Sequence, residues 1–513
     1  MSLYMSIDSS LFTIAASALV LPIAYLAFTI GYNLFFHPLS GYPGPKLWAM
    51  SRIPYNWHTL RGTSAFMFRS MHEKYGDLVR YSPNGLSFTQ AEAWDEIYGP
   101  YKGKKHMEMD PGVFGGGITV TGAGQITNSI NEEHKRLRSR LLRALSAKAL
   151  ASQEEILQHY AHEFVDGLDR ELGNKAGVID LGKWFTMATF DLIGDLAFSK
   201  SFQCLKTGTV HPWIHVVFGA FKALPLLRVI REIPGIKLFG KHATFLLPKK
   251  IKQTWIDHFN YGADLVDKRF ESGEDRPDFA HYLVVPGEAP LTRDEIKENT
   301  VQLVTAGSEP TATFNAGMCY YLAKNPDVYG KLKKEIRSNF SSREEMTLTR
   351  LASLVYLNLV IREGLRMFPP AADIFPRIIP EGGEVIMGQY LPEGTHVSIG
   401  ALAISFSAKN FPDPYKFDPE RWTDERAARD GKLKASQPFG QGHRSCIGKF
   451  LAYAELRLLL ASLIFHFDME MVEDDGDWLE KCRVFIGWEK LPLMFHLTPI
   501  NALVKKEDIK KDL

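Results

Sequence analysis

The chain has 513 residues, with 60 Lys and Arg against 59 Asp and Glu, so its formal net charge is +1. A nearly neutral chain offers no net basic field to hold nucleic acid, and a hydrophobic fraction of 45% is enough for a substantial core, which excludes extensive disorder. The four cysteines, Cys204, Cys319, Cys446 and Cys482, include no CxxC pair, so neither a disulfide scaffold nor a zinc ribbon fits.

The first predicted element is an apolar helix over residues 11–36, which contain no charged residue and no histidine. At ~1.5 Å per residue it measures about 39 Å, against a hydrocarbon thickness of ~30 Å, which predicts a transmembrane anchor. A cleaved signal peptide is the alternative, but no small-residue cleavage site follows. Because Asp8 precedes the span while Lys46 and Arg52 follow it, residues 1–10 are expected in the lumen and the body in the cytosol.

The body is predicted to be one mainly helical (α+β) domain over residues 51–500. A stiff proline-rich hinge at residues 37–50 precedes it, and a charged tail at residues 501–513 follows it. Apolar residues at spacings of three and four predict helices over residues 131–150, 151–172, 184–198, 252–271, 293–323, 326–339, 349–367 and 448–465. Short β-rich runs predict strands at residues 78–81, 384–387, 396–399 and 493–496.

One segment, residues 438–448, has the sequence PFGQGHRSCIG. Its glycines, Gly440, Gly442 and Gly448, let the backbone approach a flat molecule closely, and Phe439 supplies an aromatic wall. Cys446 precedes a periodic apolar run, so it is expected near a helix N-terminus, where a thiolate and hence a metal ligand is stabilised. A lone cysteine is usually a small core residue, but six specified residue types coincide here in the pattern FxxGxRxCxG.

This pattern resembles the haem-binding signature of the cytochrome P450 family. Glu363 and Arg366 match the family's ExxR, and Arg421 lies in a segment that resembles PERF, with Trp422 in place of Phe. The resemblance covers nearly the whole chain, and residues 42–45 are similar to the hinge of microsomal members. It implies the cytochrome P450 fold, a large helical domain with small β-sheets, in which Glu363, Arg366 and Arg421 form a buried ion network.

The resemblance also implies haem b, with iron ligated axially by Cys446. Phe439, Gly440, Gly442 and Gly448 would shape the haem pocket. Four cationic or hydrogen-bonding residues would meet the haem propionates: His134, Arg138, Arg377 and Arg444.

The predicted helix 293–323 is similar to the family's oxygen-binding helix. Ala306 and Gly307 would leave room for dioxygen, and Glu309 would gate protons. The family's threonine is replaced by Pro310, which has neither a hydroxyl nor an N–H and is expected to kink the helix. We therefore expect Thr311 to act with Glu309, while an ordered water and a substrate hydroxyl remain alternative donors.

Three residues, Val304, Ile374 and Phe375, are placed in an apolar substrate pocket by the resemblance. Asp373, in the same segment, is expected to be a solvent-facing loop carboxylate, and an anchor for a substrate hydroxyl or amine is the alternative.

The function that the resemblance implies is that of a haem-thiolate monooxygenase, which inserts one atom of dioxygen into an apolar small molecule by hydroxylation or epoxidation. The chain looks most like filamentous-fungal members, including trichothecene-pathway hydroxylases, so a terpenoid or polyketide intermediate of secondary metabolism is expected. Electrons would come from a separate NADPH-cytochrome P450 reductase, with cytochrome b5 as a second candidate, at the endoplasmic reticulum membrane. The alternatives are a reductase-independent isomerase or dehydratase, and a non-catalytic haem sensor or carrier.

Overall fold

The fold is described from a computed structural model that covers residues 20–100, 106–111, 119–174, 177–232, 248–284, 290–430, 432–472 and 477–500. The predicted lumenal residues 1–10, the first part of the predicted anchor (residues 11–19) and the predicted tail (residues 501–513) lie outside the described residues. The rest of the predicted anchor is helix α1, Val20–Phe36, whose last turn is π-helical.

The body is mainly helical, as the sequence predicts. Its α-helices are α2 (Lys46–Met50), α3 (Ile53–Leu60), α4 (Ser64–Tyr75), α5 (Ala93–Ile97), α6 (Asn131–Ala144), α7 (Ala147–Ser152), α8 (Glu154–Asn174), α9 (Leu181–Phe198), α10 (Cys204–Thr207), α11 (Pro212–Glu232), α12 (Lys249–Glu271), α13 (Phe279–Leu283), α14 (Arg293–Lys324), α15 (Pro326–Asn339), α16 (Leu348–Ser353), α17 (Val355–Met367), α18 (Ala401–Ser405), α19 (Asp424–Asp430), α20 (Lys449–His466) and α21 (Trp478–Lys481). Short 3₁₀ turns lie at Arg343–Glu345, Pro419–Trp422, Leu433–Ala435 and Gly442–Arg444.

The strands form small sheets at the edge of the helical body. They are β1 (Leu78–Ser82), β2 (Gly85–Phe88), β3 (Glu108–Met109), β4 (Val178–Asp180), β5 (Arg377–Ile378), β6 (Glu384–Ile386), β7 (Gln389–Leu391), β8 (His396–Ile399), β9 (Phe467–Met471), β10 (Arg483–Val484), β11 (Trp488–Glu489) and β12 (Met494–Pro499). The largest sheet has the order β1-β2-β8-β5-β3, in which β2 and β8 are parallel and the other neighbours are antiparallel. A second sheet has the order β4-β12-β9. Strands β6 and β7 form a two-stranded antiparallel sheet, and so do β10 and β11.

The centre of the domain is the long helix α14, packed against α9 and α20. A capping box starts it: the Thr292 hydroxyl accepts from the Glu295 N–H, and the Glu295 carboxylate accepts from the Thr292 N–H. Helix α9 is buried on nearly all its faces, which matches its almost continuous apolar sequence. These helices bring α14 against the segment that carries the cysteine.

Two predicted helices are each interrupted. The run predicted as one helix over residues 131–150 breaks after Ala144, because the Ser146 hydroxyl accepts from the Ala149 N–H and starts α7 as a new N-cap. The run predicted over residues 349–367 breaks at Leu354, whose extended backbone separates α16 from α17. Periodicity persists across such breaks, so the sequence pattern does not locate them.

The predicted hinge at residues 37–50 is not a separate connector along its whole length. Its second half forms α2, where Trp48 is buried, and the Arg80 N–H of β1 donates to the Pro43 carbonyl at 2.7 Å. A Cβ at Gly44 would overlap the Arg80 carbonyl, which is why glycine stands at this close approach. The segment is therefore part of the domain.

Within the described residues, α11 is long and apolar enough to cross a membrane. Its side chains Trp213, Ile214, Val217 and Leu227 are buried, so part of this helix packs into the domain. The shorter α1 is also apolar, and its large side chains Leu21, Tyr25 and Phe28 are exposed.

Candidate active site

A cavity of about 430 Å³ lies between α14, the start of α20 and the segment that links α17 to β5. Most of its wall is apolar. It is lined on one side by the cysteine segment and on the other by α14, and it includes the predicted residues His134, Arg138, Ala306, Gly307, Thr311, Phe375, Arg377, Phe439, Gly440, Arg444, Cys446 and Gly448. The fold thus brings together residues that lie more than 300 positions apart in the sequence.

The backbone of the cysteine segment turns sharply to present Cys446. Gly440 and Gly442 have φ of +68° and +71°, which is the left-handed region that favours glycine. A Cβ at Gly442 would overlap the Tyr98 carbonyl, so no other residue fits there without a backbone shift. The Cys446 N–H donates to the Phe439 carbonyl at 2.8 Å and closes the loop.

Cys446 borders the cavity and its side chain is exposed there, although many protein atoms surround it. Burial raises the pKa of its thiol, while the Gly448 N–H and the positive charges of Arg138 and Lys449 act in the opposite direction. Helix α20 begins three residues later, at Lys449, so Cys446 lies just before the helix N-terminus. This is the arrangement of a sulfur ligand that faces a bound group.

Two arginines attach the cysteine segment to the helix α6 region. Arg138 donates to the Ser445 carbonyl at 2.7 Å and to the Ser445 hydroxyl at 3.0 Å. Arg444 donates to the Ile126 carbonyl at 3.3 Å and also to the Ser129 carbonyl. Both guanidinium groups line the cavity, so they position the loop and bring positive charge to one end of it.

Three histidines lie beside these arginines. His106 and His443 share a hydrogen bond between their Nε2 atoms at 2.7 Å, and the His134 ring lies 6.0 Å from the His443 ring, edge to face. Burial, followed by the nearby positive charges, lowers the pKa of His134 to about 3 and that of His443 to about 4. His106 was not predicted, because a histidine in a loop carries no periodic signal that would place it at a site.

The residues present fit haem. Arg377 is buried, its guanidinium lies 4.9 Å above the Tyr98 ring, and its Nη1 atom has no hydrogen-bond partner among the described residues. Buried polar atoms are rarely unpartnered, so this atom and the neighbouring cationic groups indicate an anionic ligand such as a haem propionate. Together with Cys446, the cavity therefore offers a sulfur ligand and a cationic group for an anion.

The predicted ion network is fully buried behind the site. Arg366 donates to both carboxylate oxygens of Glu363, at 2.9 and 2.7 Å, and Arg421 donates to the same carboxylate at 3.1 Å. Trp422 donates its indole N–H to Glu363 at 2.9 Å, a bond that a phenylalanine at this position would not make. Arg366 also donates to the Ser405 carbonyl at 2.7 Å, so the network ties α17 to the chain before the cysteine segment.

One face of α14 forms the cavity wall opposite the cysteine. Ala306, Gly307, Pro310 and Thr311 line the cavity, at the spacing expected of one helix face. A Cβ at Gly307 would press on the Ile193 side chain of α9, which explains the small residue there. Helix α14 continues through Pro310. Because proline has no N–H, the helix lacks the backbone hydrogen bond that residue 310 would otherwise donate to the Ala306 carbonyl.

The sequence profile of the family "Cytochrome P450" matches residues 43–497 of this chain. The chain belongs to the cytochrome P450 family. Among its relatives, cytochrome P450 monooxygenase traB of Penicillium crustosum is 39% identical over 502 residues, which cover 96% of this chain and 98% of the relative. Cytochrome P450 monooxygenase astJ of Aspergillus oryzae is 37% identical over 94% of this chain and 96% of the relative. Cytochrome P450 monooxygenase efuB of Hormonema carpetanum is 38% identical over 91% of this chain and 92% of that relative.

This P450 is a haem-thiolate monooxygenase, as the sequence predicts. When bound through a cysteine thiolate, haem binds dioxygen and promotes the cleavage of its O–O bond. In this cavity Cys446 would supply the ligand, and Arg138 and Arg444 would supply positive charge for the propionates.

Glu309 is not on the cavity wall of this P450. Its carboxylate accepts from the Thr313 hydroxyl and from Lys490 Nζ at 3.3 Å. The turn at Gly487 packs against the same carboxylate, since a Cβ there would lie 2.8 Å from Oε2. The relay of Glu309 with Thr311 stays a prediction, since the Glu309 carboxylate contacts Lys490 and does not line the cavity.

The predicted substrate residues are only partly brought together. Phe375 lines the main cavity, whereas Val304 is fully buried in the core and Ile374 packs in a separate cluster with Tyr55 and Phe68. Val304 and Ile374 point away from the cavity because neighbouring positions on a helix or in an extended segment face different sides.

Asp373 also differs from its expected state, because it is buried at the cavity wall and does not face solvent. One carboxylate oxygen accepts from the Ile374 N–H at 2.9 Å, and the other lies 3.9 Å from Arg228 Nη1 of α11. Burial raises the pKa of Asp373 against the opposing charge of Arg228.

A buried acid of the cavity was missed by the sequence analysis. Glu455 of α20 lines the cavity and is 2% exposed. Burial raises the pKa of its carboxyl to about 8, and hydrogen bonding to the Thr311 side chain opposes the rise only in part. A signal for it exists in the sequence, since Glu455 lies on the apolar face of a helix, four residues after Leu451 and four before Leu459.

Proposed function

We propose that this P450 inserts one oxygen atom of dioxygen into an apolar terpenoid or polyketide intermediate of fungal secondary metabolism, by hydroxylation or epoxidation. The observation that carries the proposal is the largely apolar wall of the cavity that Cys446 borders. It contains Ile126, Ile193, Phe279, Leu303, Phe314, Ala371 and Phe375. Such a wall favours a ligand with little charge, and the relatives are monooxygenases of fungi.

The proposed roles of the protein groups follow from their positions. Cys446 ligates the iron, Arg138, Arg377, Arg444 and His134 face the propionates, and Ala306 and Gly307 leave space for dioxygen. Glu363, Arg366 and Arg421 fix the scaffold behind the site. Asp373 is a candidate anchor for a substrate hydroxyl, because the oxygen that faces Arg228 lies beyond hydrogen-bond distance from it.

The proposed electron donor is a separate NADPH-cytochrome P450 reductase, with cytochrome b5 as a second candidate. P450 monooxygenases use a partner reductase, dioxygen and a small-molecule substrate. The identity of the donor is a prediction carried over from the resemblance to microsomal members.

The test is turnover of the purified full-length protein with the reductase, NADPH and ¹⁸O₂, against a panel of terpenoids and aromatic polyketides. The proposal predicts a product that carries one ¹⁸O atom and that requires NADPH. A product without ¹⁸O that forms in the absence of NADPH would instead show an isomerase or dehydratase. Reversible haem binding with no product and no substrate-dependent NADPH consumption across the panel would favour a sensor or carrier.

The endoplasmic reticulum membrane is the proposed location, with the catalytic domain on the cytosolic side. Helix α1 is apolar and exposed, and the neighbouring surface carries the exposed side chains of Leu47, Ile53 and Trp57. A contiguous apolar surface of this kind is suited to contact with lipid. Carbonate extraction and protease protection of microsomes test this: the domain is expected to stay with the membrane and to be digested without detergent.

A further inference from the structure

We propose that Arg228 and Asp373 together form a polar subsite that accepts a hydroxyl group of the substrate and rejects the corresponding amine and carboxylate. The inference rests on the proposed function and narrows its substrate class to apolar molecules that already carry a hydroxyl before this P450 oxidises them elsewhere. It also decides between a hydroxyl and an amine as the group that Asp373 holds, because the guanidinium of Arg228 lies beside that carboxylate.

A second, small cavity adjoins the main one. Its volume is about 10 Å³, which is room for about one water-sized group. Asp373 and Phe375 line both cavities, so the two cavities meet at these residues. The other polar side chains that line the small cavity are Arg228 of α11 and Thr59 of α3. A substrate in the main cavity therefore has a small polar compartment beside it.

This compartment contains buried polar atoms that the protein itself does not satisfy. Arg228 is 5% exposed, and neither its Nε nor its Nη2 atom has a hydrogen-bond partner among the described residues. The buried Thr59 hydroxyl likewise has no partner in the part of the chain that the structure describes. Because native proteins rarely leave buried polar groups unpaired, these atoms indicate a polar occupant of the small cavity.

The spacing of the charged pair fits one oxygen atom. Arg228 Nη1 lies 3.9 Å from Asp373 Oδ2, which is too far for a direct hydrogen bond. An oxygen atom about 2.9 Å from the nitrogen and about 2.7 Å from the carboxylate contacts both groups, because these two lengths together exceed the gap. A hydroxyl at this point accepts from Arg228 and donates to Asp373.

Contacts on the far side of each group hold the pair in place. Arg228 Cζ lies 5.0 Å from the centre of the Tyr55 ring, a cation–π contact in the interior. Oδ1 of Asp373 accepts from the Ile374 N–H at 2.9 Å, which leaves Oδ2 on the side of Arg228. The gap is therefore preorganised, and these contacts would have to shift for the pair to close on itself.

The opposite charges of the pair select against a charged ligand group. An ammonium group would donate to Asp373, but it offers Arg228 no acceptor and carries the same charge. A carboxylate would accept from Arg228 but meet Asp373, and Glu232, 3.9 Å from Arg228 Nε, adds a second negative charge. A methyl ether accepts but cannot donate. A hydroxyl is neutral and does both, so it suits the pair.

The test is isothermal titration calorimetry of the full-length, haem-loaded protein in nanodiscs, with empty nanodiscs as the blank. The probes share one terpenoid skeleton: geraniol, its methyl ether, geranylamine and geranic acid. At about pH 7.5 the amine is a cation and the acid is an anion. The wild type is expected to bind geraniol at least about tenfold more tightly than each of the other three. Equal affinities for the alcohol and the ether, or no binding of geraniol, would overturn the proposal.

Substitutions that remove one charge should change the order of the probes, which a purely structural role would not do. Asp373→Asn leaves Arg228 and should raise the affinity for geranic acid relative to geraniol at least about tenfold. Arg228→Met leaves Asp373 and should do the same for geranylamine, so either variant is a test where the other does not fold. Ser64→Ala is the matched control, because its hydroxyl lies 3.5 Å from Asp373 Oδ1 and not on the Arg228 side. It should keep the wild-type order, and a wild-type order in both charge variants would contradict the subsite.

The binding experiment involves no oxygen transfer, so its failure and that of the proposed function are distinct. Equal binding of the alcohol and the ether would mean that the small cavity holds only water, and it would leave the monooxygenase reaction standing. Turnover without an ¹⁸O-labelled product would contradict the proposed function even if the four probes bind in the expected order.

Discussion

Lys490 and Glu309 form an ion pair next to the cavity lining, with Nζ 3.3 Å from Oε1 and both side chains largely buried. Their positions are 181 residues apart in the sequence. The pair connects the central helix to the turn around Gly487, so the acid of the family's proton-relay motif has a structural partner in this protein.

Removal of Lys490 is expected to destabilise the domain. Lys490→Ala leaves the Glu309 carboxylate buried without its cation, which costs about 3–5 kcal/mol in the free energy of unfolding. The double variant Glu309→Gln/Lys490→Met removes both charges and should recover most of this loss. Urea unfolding measures the difference, and a single variant within about 1 kcal/mol of the wild type would show that the pair contributes little.

The two glycines of the cysteine loop should respond differently to alanine. Gly442→Ala places a Cβ on the Tyr98 carbonyl at a φ of +71°, so the loop must shift and haem content should fall sharply. Gly440→Ala has a similar φ, +68°, but its nearest neighbour is 3.9 Å away, so it should cost only about 1–2 kcal/mol of backbone strain. The pyridine haemochrome assay compares them, and equal haem content in both variants would contradict the account.

The buried network around Glu363 should matter far more than an exposed ion pair nearby. Glu363→Gln removes the charge that Arg366 and Arg421 share in a fully buried site, and the expected loss is about 3–5 kcal/mol. Lys331→Ala breaks the solvent-exposed pair with Glu420 and should cost less than about 1 kcal/mol. Thermal unfolding of the two variants side by side decides this, and similar midpoints would be the contrary result.

The free energy of unfolding should depend on pH because of the Glu455 carboxyl. Its folded pKa is raised from 4.5 to about 8, so the folded state binds more protons than the unfolded state between these values, and the free energy of unfolding falls as the pH rises through that window. Glu455→Gln abolishes this fall, so its stability relative to the wild type should improve by about 3–4 kcal/mol between pH 5 and pH 8. A difference that is constant with pH would mean that the carboxyl is ionised in the folded protein.

The cysteine segment and the ion network could be predicted from the sequence because their chemistry is concentrated in short motifs. The turns at Gly440 and Gly442 and the pairing of Glu363 with Arg366 depend on residues close in sequence. The helical body could be predicted for the same reason, since helix periodicity is local.

The direction of Glu309 could not be predicted in this way. Its place on α14 is set by local spacing, but its partner Lys490 and the packing at Gly487 come from the far end of the domain. The role of His106 likewise depends on a contact with His443, 337 residues away. Tertiary contacts of this kind leave no periodic trace in the sequence.

The absorption spectrum of the dithionite-reduced protein under carbon monoxide tests the central claim, that Cys446 ligates haem iron as a thiolate. We expect a strongly red-shifted Soret band in the wild type that is lost in Cys446→Ala. A folded, haem-replete wild type without this band, or a variant that keeps it, would contradict thiolate ligation by Cys446.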